Sequence, residues 1–463
     1  MLNEIGLIGL GVMGKNIGLN IAEKGTHIKA FNHSQEKIDT ISKEFNDNFV
    51  GYTSLKNLVS NLKRPRNILL MIPSGEPTHS VINQLAELLD DGDVVIDGGN
   101  SFYQESINHG NFLSSKSINF IGMGVSGGEE GARHGPAIMI GSKNTLDDNL
   151  IELLSAISAK APHDCIGLYE GYGSGHFVKM VHNGIEYAEM QLISETYYLL
   201  KHQNYSNTEI ADFFDSLKQI NQSSYLIEIT SDILRKRDGD KFTLDLIKPH
   251  ANNKGTGKLT IETSFELGIS APSIYAAYDA RVLSNAGDAW RGDKNFSETT
   301  NAENNPLGER VINESYLSKS LYFGRVAAMI QGLKIIQKYN EVNNLSLEFA
   351  DIFKNWSGGC IIRSQMLDEL LEVDKKSNDF LNSESLHNLL KENIEIVKNV
   401  VSNSILSNIS IPVLSASLSW YLNLSSNSNP SNLIQAQRDY FGSHTVVLLN
   451  SEEYIHIDWR ENE

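Results

Sequence analysis

An α/β dinucleotide-binding domain of Rossmann type, then a large all-α domain and a short C-terminal tail, is the architecture this sequence predicts. Three observations predict it. Short apolar runs alternate with helical patterns through the first third of the chain. A GxGxxG spacing closes the first of those runs. After about Gly173, strand-like runs become scarce and helical periodicity dominates to about residue 430.

The runs EIGLIGL, THIKAF, RNILLMI, DVVIDGG and INFIGMG are bounded by Gly, Asn or Pro, and helical patterns such as Lys15–Lys24 and Ser80–Leu89 lie between them. This alternation predicts a parallel sheet with crossover helices, and runs apolar on both faces suit strands covered on both sides. In the helical part, EFADIF (Glu348–Phe353) echoes EIADFF (Glu209–Phe214) at an offset of 348 − 209 = 139 residues. Internal duplication and chance likeness between amphipathic helices both account for that echo. LSSNSNPSN, Leu424–Asn432, is a Ser/Asn-rich break before a tail with no obvious core of its own. The domains expected are therefore 1–173, 174–432 and 433–463.

A chain of 463 residues is too long for one ordinary core. With hydrophobic residues at 40% and charged at 21%, its composition is that of a soluble globular protein. No apolar run reaches the ~20 residues that cross a bilayer. The N-terminus runs straight into a strand pattern, so neither a signal nor a transit peptide is expected. Cys165 and Cys360, the only cysteines, sit in dissimilar contexts. They argue for a reducing cytoplasm and against a disulfide framework or zinc site, and no metal is expected. A net charge of −18 disfavours nucleic acid or anionic membrane as a partner, while leaving room for a local basic pocket and a small anionic substrate.

GLIGLGVMG places Gly9, Gly11 and Gly14 between a strand and a helix. Glycines there let the backbone turn tightly and approach a pyrophosphate at a helix N-terminus. Where NAD sites usually carry Asp or Glu, at the end of the second strand, this chain has Phe31-Asn32-His33-Ser34. Nothing repels a 2′-phosphate, Asn32 and Ser34 can donate to one, and His33 adds charge only when protonated. NADP is therefore favoured over NAD, which stays possible.

The stretch HFVKMVHNGIEYAEMQ (176–191) puts Lys179, His182, Asn183, Glu186 and Tyr187 at i, i+3, i+4, i+7 and i+8, on one helical face. Solvated faces are usually Glu/Lys mixtures, so this row reads as a pocket wall. VSGGEEGAR sets Ser126, Gly127 and Gly128 after a strand run, where Gly N–H groups can hold a carboxylate. NKGTGKLT gathers Lys254, Thr256 and Lys258 around two glycines, which suits a phosphate without P-loop spacing.

GLIGLGVMGKNI, DGGNS, GVSGGEEGAR, GHFVKMVHNGIEY, KGTGK, GGCIIR and QRDYFGSH together resemble the family of decarboxylating 6-phosphogluconate dehydrogenases, from residue 6 to residue 444. The resemblance implies oxidative decarboxylation of 6-phospho-D-gluconate to D-ribulose 5-phosphate and CO2 with reduction of NADP, in the pentose phosphate pathway and gluconate utilisation. It implies Lys179 as general base and Glu186 as general acid. Ser126, Gly127, Gly128, His182 and Asn183 would contact the sugar acid, and Asn100 both substrate and nicotinamide. Tyr187, Lys254, Thr256 and Arg281 would hold the phosphate. Arg438 and His444 would complete the site from the other subunit of a homodimer. Cofactor contacts would come from Gly9, Leu10, Gly11, Val12, Met13 and Gly14, from Asn32, His33 and Ser34, and from Met71, Ile72 and Pro73.

The chain departs from the family pattern in places. Arg is usual where His33 stands, Lys is frequent at Pro73, and Ser357 replaces the Arg of WRGG. The segment AGDAWRGDKNFSETTNAENN after Arg281 is also unlike the family. A shorter 3-hydroxyacid dehydrogenase would leave KGTGK and the tail without purpose. A non-catalytic dinucleotide-binding module would not need Lys179 or Glu186.

Overall fold

The computed structural model describes residues 1–45, 47–252, 255–286, 312–377 and 379–460. It divides into two units, Met1–Ser417 and Leu418–Glu463. The first unit opens with β1 (Glu4–Ile8), α1 (Val12–Glu23), β2 (His27–Phe31), α2 (Gln35–Ser42), β3 (Phe49–Tyr52), α3 (Leu55–Asn61), β4 (Asn67–Leu70), α4 (Glu76–Ala86), β5 (Val94–Asp97), α5 (Tyr103–Ser114) and β6 (Asn119–Ser126). It continues through α6 (Gly128–His134), β7 (Ala137–Ser142), α7 (Asp148–Ile157) and β8 (Ile166–Glu170).

These strands form one sheet of order β3-β2-β1-β4-β5-β6-β7-β8. Its order reverses between β1 and β4, the crevice where such sheets bind ligands. Side chains alternate between two apolar layers, as a pleated strand requires. Leu69, Ile96 and Ile121 join the layer of α1 and α7. Their neighbours Ile68, Leu70, Val95 and Phe120 join the layer of α3, α4 and α5.

The sheet is not wholly parallel, which corrects the expected crossover pattern: β7 runs antiparallel to β6. Only the short α6 joins them. A parallel return needs a crossover of about a dozen residues or more, so the chain folds straight back. The runs FVGY, AIMIGS and IGLYE are additional strands that the five apolar runs did not include.

Helices follow: α8 (Ser174–His202), α9 (Asn207–Ser216) and α10 (Tyr225–Arg235), a small hairpin of β9 (Arg237–Asp238) and β10 (Lys241–Phe242), then α11 (Thr256–Glu266) and α12 (Pro272–Ala286). Next come α13 (Glu314–Asn343), α14 (Phe349–Trp356), α15 (Gln365–Asp374), α16 (Glu384–Lys391), α17 (Ile394–Leu406) and α18 (Pro412–Ser425). A long helix, a short one and a Ser-led third thus occur twice. Glu314, which opens α13, lies 140 residues after Ser174, which opens α8 (314 − 174). The two third helices meet at their N-caps, where Ser224 and Ser364 form an antiparallel bridge.

Within the second unit, α19 (Ser431–Gly442) is followed by the two-residue strands β11 (Val446–Val447) and β12 (Tyr454–Ile455). A single carboxylate organises this tail. Asp439 is fully enclosed and accepts from the Thr445 and Ile457 N–H groups, His456 Nδ1 and Trp459 Nε1 at 2.8–3.0 Å. Those four donors hold its carboxyl well below the usual carboxylate range, although enclosure opposes them.

Candidate active site

The α1 N-terminus fits a pyrophosphate. Its N-cap is Gly11, which offers no side-chain hydrogen bond to the first-turn N–H groups. A Cβ at Gly14 would fall 2.0 Å from the Gly9 carbonyl oxygen, and one at Gly9 would fall 2.4 Å from the Met71 carbonyl oxygen. At Gly11 a Cβ would meet nothing, so open space lies before the helix end. Leu10 is buried beneath this turn, Val12 is exposed and Met13 half-buried.

Beside the turn, Gly9, Asn32, His33, Ile72 and Pro73 line a cavity of about 400 Å³ at the sheet's reversal. Met71, half-buried, precedes Ile72. Asn32 Oδ1 accepts from the Ser34 N–H at 3.0 Å, and Ser34 Oγ accepts from the Lys37 N–H at 3.2 Å, capping α2. His33 meets the Phe31 ring edge-on, with centroids 4.9 Å apart. No Lys or Arg is among the described residues lining this cavity.

Lys179, Ser126, His182 and Asn183 converge. Ser126 ends β6 and α8 passes close by: a Cβ at Gly124 would stand 2.5 Å from Lys179 Cβ. Lys179 Nζ donates to Asn183 Oδ1 at 2.7 Å and to Ser126 Oγ at 3.0 Å. It also lies 3.3 Å from His182 Nδ1, while His182 Nε2 lies 3.2 Å from Ser126 Oγ. His182 Nδ1 also lies 3.2 Å from Asn183 Oδ1, so the ring hydrogen can serve Ser126 through Nε2 or Asn183 through Nδ1. Glu186 Oε2 lies 3.7 Å from His182 Nδ1.

Burial dominates the electrostatics here. It pushes the Lys179 ammonium below its ordinary pKa, against the pull of Glu186 and Cys360. It holds His182 far below the usual imidazole value, helped by Lys179, so the ring is neutral. It raises the Glu186 carboxyl, against Lys179 and Arg281. Base and acid are thereby drawn toward a shared operating range.

Further along α8, Tyr187 lies between two elements. Gly257 on α11 packs against its ring, and the Arg281 guanidinium carbon of α12 stands 3.5 Å from the ring centroid. Thr256 opens α11 beside them. Gly127 and Gly128 cross from β6 into α6, both at positive φ, and the Gly359 carbonyl backs onto Gly127. Asn100 is exposed in the loop after β5.

Lys254 lies outside the described residues, as does almost all of the segment beginning at Ala286. Arg438 and His444 are exposed in the second unit. Among the described residues, no group of three or more His, Cys, Asp or Glu could hold a metal ion, and no helix is long and apolar enough to cross a membrane.

Sequence reasoning passed over three neighbours of this cluster. Trp356 meets His182 edge-on at 5.7 Å. Cys360 is buried close enough to act on Lys179. His176, the first residue of the quoted stretch, is buried one turn before Lys179.

Comparison with known proteins places the whole chain in one family. Residues 4–169 match the NAD binding domain of 6-phosphogluconate dehydrogenase, and residues 175–459 match the 6-phosphogluconate dehydrogenase C-terminal domain. The decarboxylating 6-phosphogluconate dehydrogenase of Bacillus licheniformis is 39% identical over 467 residues, covering 99% of this chain and 100% of the relative. That of Escherichia coli K12 is 37% identical, covering 98% and 99%. The 6-phosphogluconate dehydrogenase of Plasmodium falciparum, solved without ligand, with NADP+ and with 6-phosphogluconate, superposes with a TM-score of 0.90 at 35% identity, covering 98% and 100%. The chain belongs to the family of decarboxylating 6-phosphogluconate dehydrogenases.

Proposed function

We propose that this enzyme converts 6-phospho-D-gluconate to D-ribulose 5-phosphate and CO2 with reduction of NADP, in the pentose phosphate pathway and gluconate utilisation. One observation carries the reading: a buried Lys179, its pKa lowered, amid Ser126, His182 and Asn183, with Glu186 raised two turns beyond Lys179. The binding of NADP+ and 6-phosphogluconate by the Plasmodium relative supports it.

NADP, when bound, supplies the acceptor for the hydride from C3. Gly9 to Gly14 would hold its pyrophosphate, Asn32, His33 and Ser34 its 2′-phosphate, and Met71, Ile72, Pro73 and Asn100 its remaining parts. Neutral Lys179 takes the C3 hydroxyl proton. It then donates back to the carbonyl oxygen it has helped create. That carbonyl is the electron sink for departing CO2, so the step is metal-independent. Glu186, its carboxyl raised by burial, delivers a proton to C1 of the enediol as Lys179 takes the proton of the C2 hydroxyl, leaving the ketone. Ser126, Gly127, Gly128, His182 and Asn183 orient the acid. Tyr187, Thr256 and Arg281, with Lys254, take the phosphate.

The chain acts as a homodimer in the cytoplasm, with Arg438 and His444 of the tail completing the partner's site. In the second unit the exposed side chains of Leu433, Tyr440, Phe441 and Trp459 line one cavity, an apolar patch that suits association. The repeated helix order from Ser174 supports an internal duplication within the helical domain, 174–432, between the cofactor domain, 1–173, and the tail, 433–463. The uncharged lining around His33 and Pro73 favours a second reading, an NAD-preferring form of the same enzyme.

One spectrophotometric assay tests these readings: 6-phosphogluconate with NADP or with NAD, following the reduced cofactor. Reduction of NADP at the lower KM supports the proposal, and reduction of neither cofactor refutes it.

A further inference from the structure

We infer that His176 is a positioning residue that sets Asn100 in register with Lys179, an inference resting on the role proposed for Asn100. His176 is buried at the start of α8, with 2% of its surface exposed. Its Nε2 stands 3.1 Å from the Gly99 carbonyl oxygen and its Nδ1 2.7 Å from Ser106 Oγ on α5. A carbonyl can only accept, so Nε2 carries the hydrogen and Nδ1 accepts from the serine hydroxyl. The partners therefore select one neutral tautomer. Burial reinforces that choice by holding the imidazole below its ordinary pKa, against the nearby Asp97.

The loop is held from its other side by Asp97, itself wholly buried at the end of β5. Asp97 Oδ1 accepts from the Gly99 N–H at 3.0 Å and Oδ2 from Ser101 Oγ at 2.6 Å. Gly99 is thus tied at both its N–H and its carbonyl, and Ser101 at its side chain. Between them Asn100 is exposed, with only its own torsions left to choose. His176 and Lys179 stand at i and i+3 on α8, on one face. One helix consequently carries both the proposed base and the anchor of a loop 77 residues away in sequence. Sliding α8 would move both together, so the spacing of Asn100 from Lys179 is preserved.

The test compares His176→Gln with His176→Leu in the full-length protein. Gln offers an N–H near the position of Nε2 and an oxygen for Ser106, whereas Leu offers neither. Misplacement by about 1 Å is worth up to ~10²-fold in rate. The Leu variant is therefore expected to lose about ten- to hundredfold in kcat, with less than about a twofold change in KM for 6-phosphogluconate. Its primary deuterium isotope effect on 3-deuterated substrate should rise, and the Gln variant should recover most of the rate. In the free protein, amide hydrogen exchange at 99–101 should quicken in the Leu variant and not in the Gln variant. Equal kcat and isotope effect in parent and both variants, whatever their melting temperatures, overturns the inference alone. A parent without activity on 6-phosphogluconate overturns the proposed function, and His176 then keeps only the loop-holding role read by exchange.

Discussion

Lys179 Nζ lies 2.7 Å from Asn183 Oδ1, one turn further along α8, while its own turn presses against the backbone of β6 at Gly124. The amide aims the amine, and burial keeps it ready to take a proton. Lys179→Met keeps much of the apolar stem and removes the amine. It should lower kcat by ~10²- to 10⁴-fold, as loss of a proton-transfer group does, while fluorescence titration still detects NADP binding. Turnover near that of the parent would remove Lys179 from the mechanism.

Gly124→Ala tests placement rather than chemistry. The added methyl would stand 2.5 Å from Lys179 Cβ, so helix or strand must shift. About a hundredfold loss of kcat is expected, with the KM for cofactor unchanged because the α1 turn is untouched. Steady-state kinetics in both substrates checks it.

His33→Arg should restore a fixed positive charge beside the cofactor cavity. A guanidinium binds phosphate through paired, charge-assisted hydrogen bonds, so the KM for NADP should fall about tenfold. That for NAD, which lacks the 2′-phosphate, should stay within about twofold. Equal changes for both cofactors would show that His33 does not face the 2′ position.

Glu195 gives a stability prediction distant from the chemistry. It is buried on α8 and accepts from the N–H groups of Val413 and Leu414 at 2.8 and 3.0 Å, capping α18. Burial wins over these hydrogen bonds and lifts its carboxyl from 4.5 to about 7. A carboxyl raised in the folded state binds its proton more tightly there than in the unfolded chain. Its contribution is complete below the unfolded value and lost as pH rises through the folded one. Parent stability relative to Glu195→Gln should therefore fall between about pH 4.5 and 7, by roughly 3 kcal/mol at most. Melting temperatures of the two proteins across that window decide it, and a constant difference would reject the raised carboxyl.

What could be read in the sequence follows from where each signal resides. The GxGxxG turn was legible because its glycines report backbone crowding directly, and a Cβ at Gly9 or Gly14 would run into a backbone carbonyl. The α8 row was legible because helical period alone brings Lys179, His182, Asn183 and Glu186 to one face. The reversal at β7 was not, since it depends on the brevity of α6 and not on composition. His176 was in register with the row, yet its partners Gly99 and Ser106 come from other elements, so nothing local marked it. Asp439 escaped notice for the same reason: its donors are spread from Thr445 to Trp459. Arg281 sits over Tyr187 through the packing of α12 on α8, and only likeness to known enzymes pointed to it.

The single helix α8 also dictates which changes this protein can survive. His176, Lys179, His182, Asn183, Glu186 and Tyr187 are graduations on one rod, each advancing about 1.5 Å along the axis and ~100° around it per residue. Substitution alters one graduation and leaves the others readable. Insertion or deletion of a single residue after Lys179 would turn every later group away from the base by about 100° while leaving composition and helix propensity nearly intact. A substitution on α8 thus costs the function of one residue, whereas a change in their count costs that of all the later ones, a constraint that belongs to the ruler and to none of its marks.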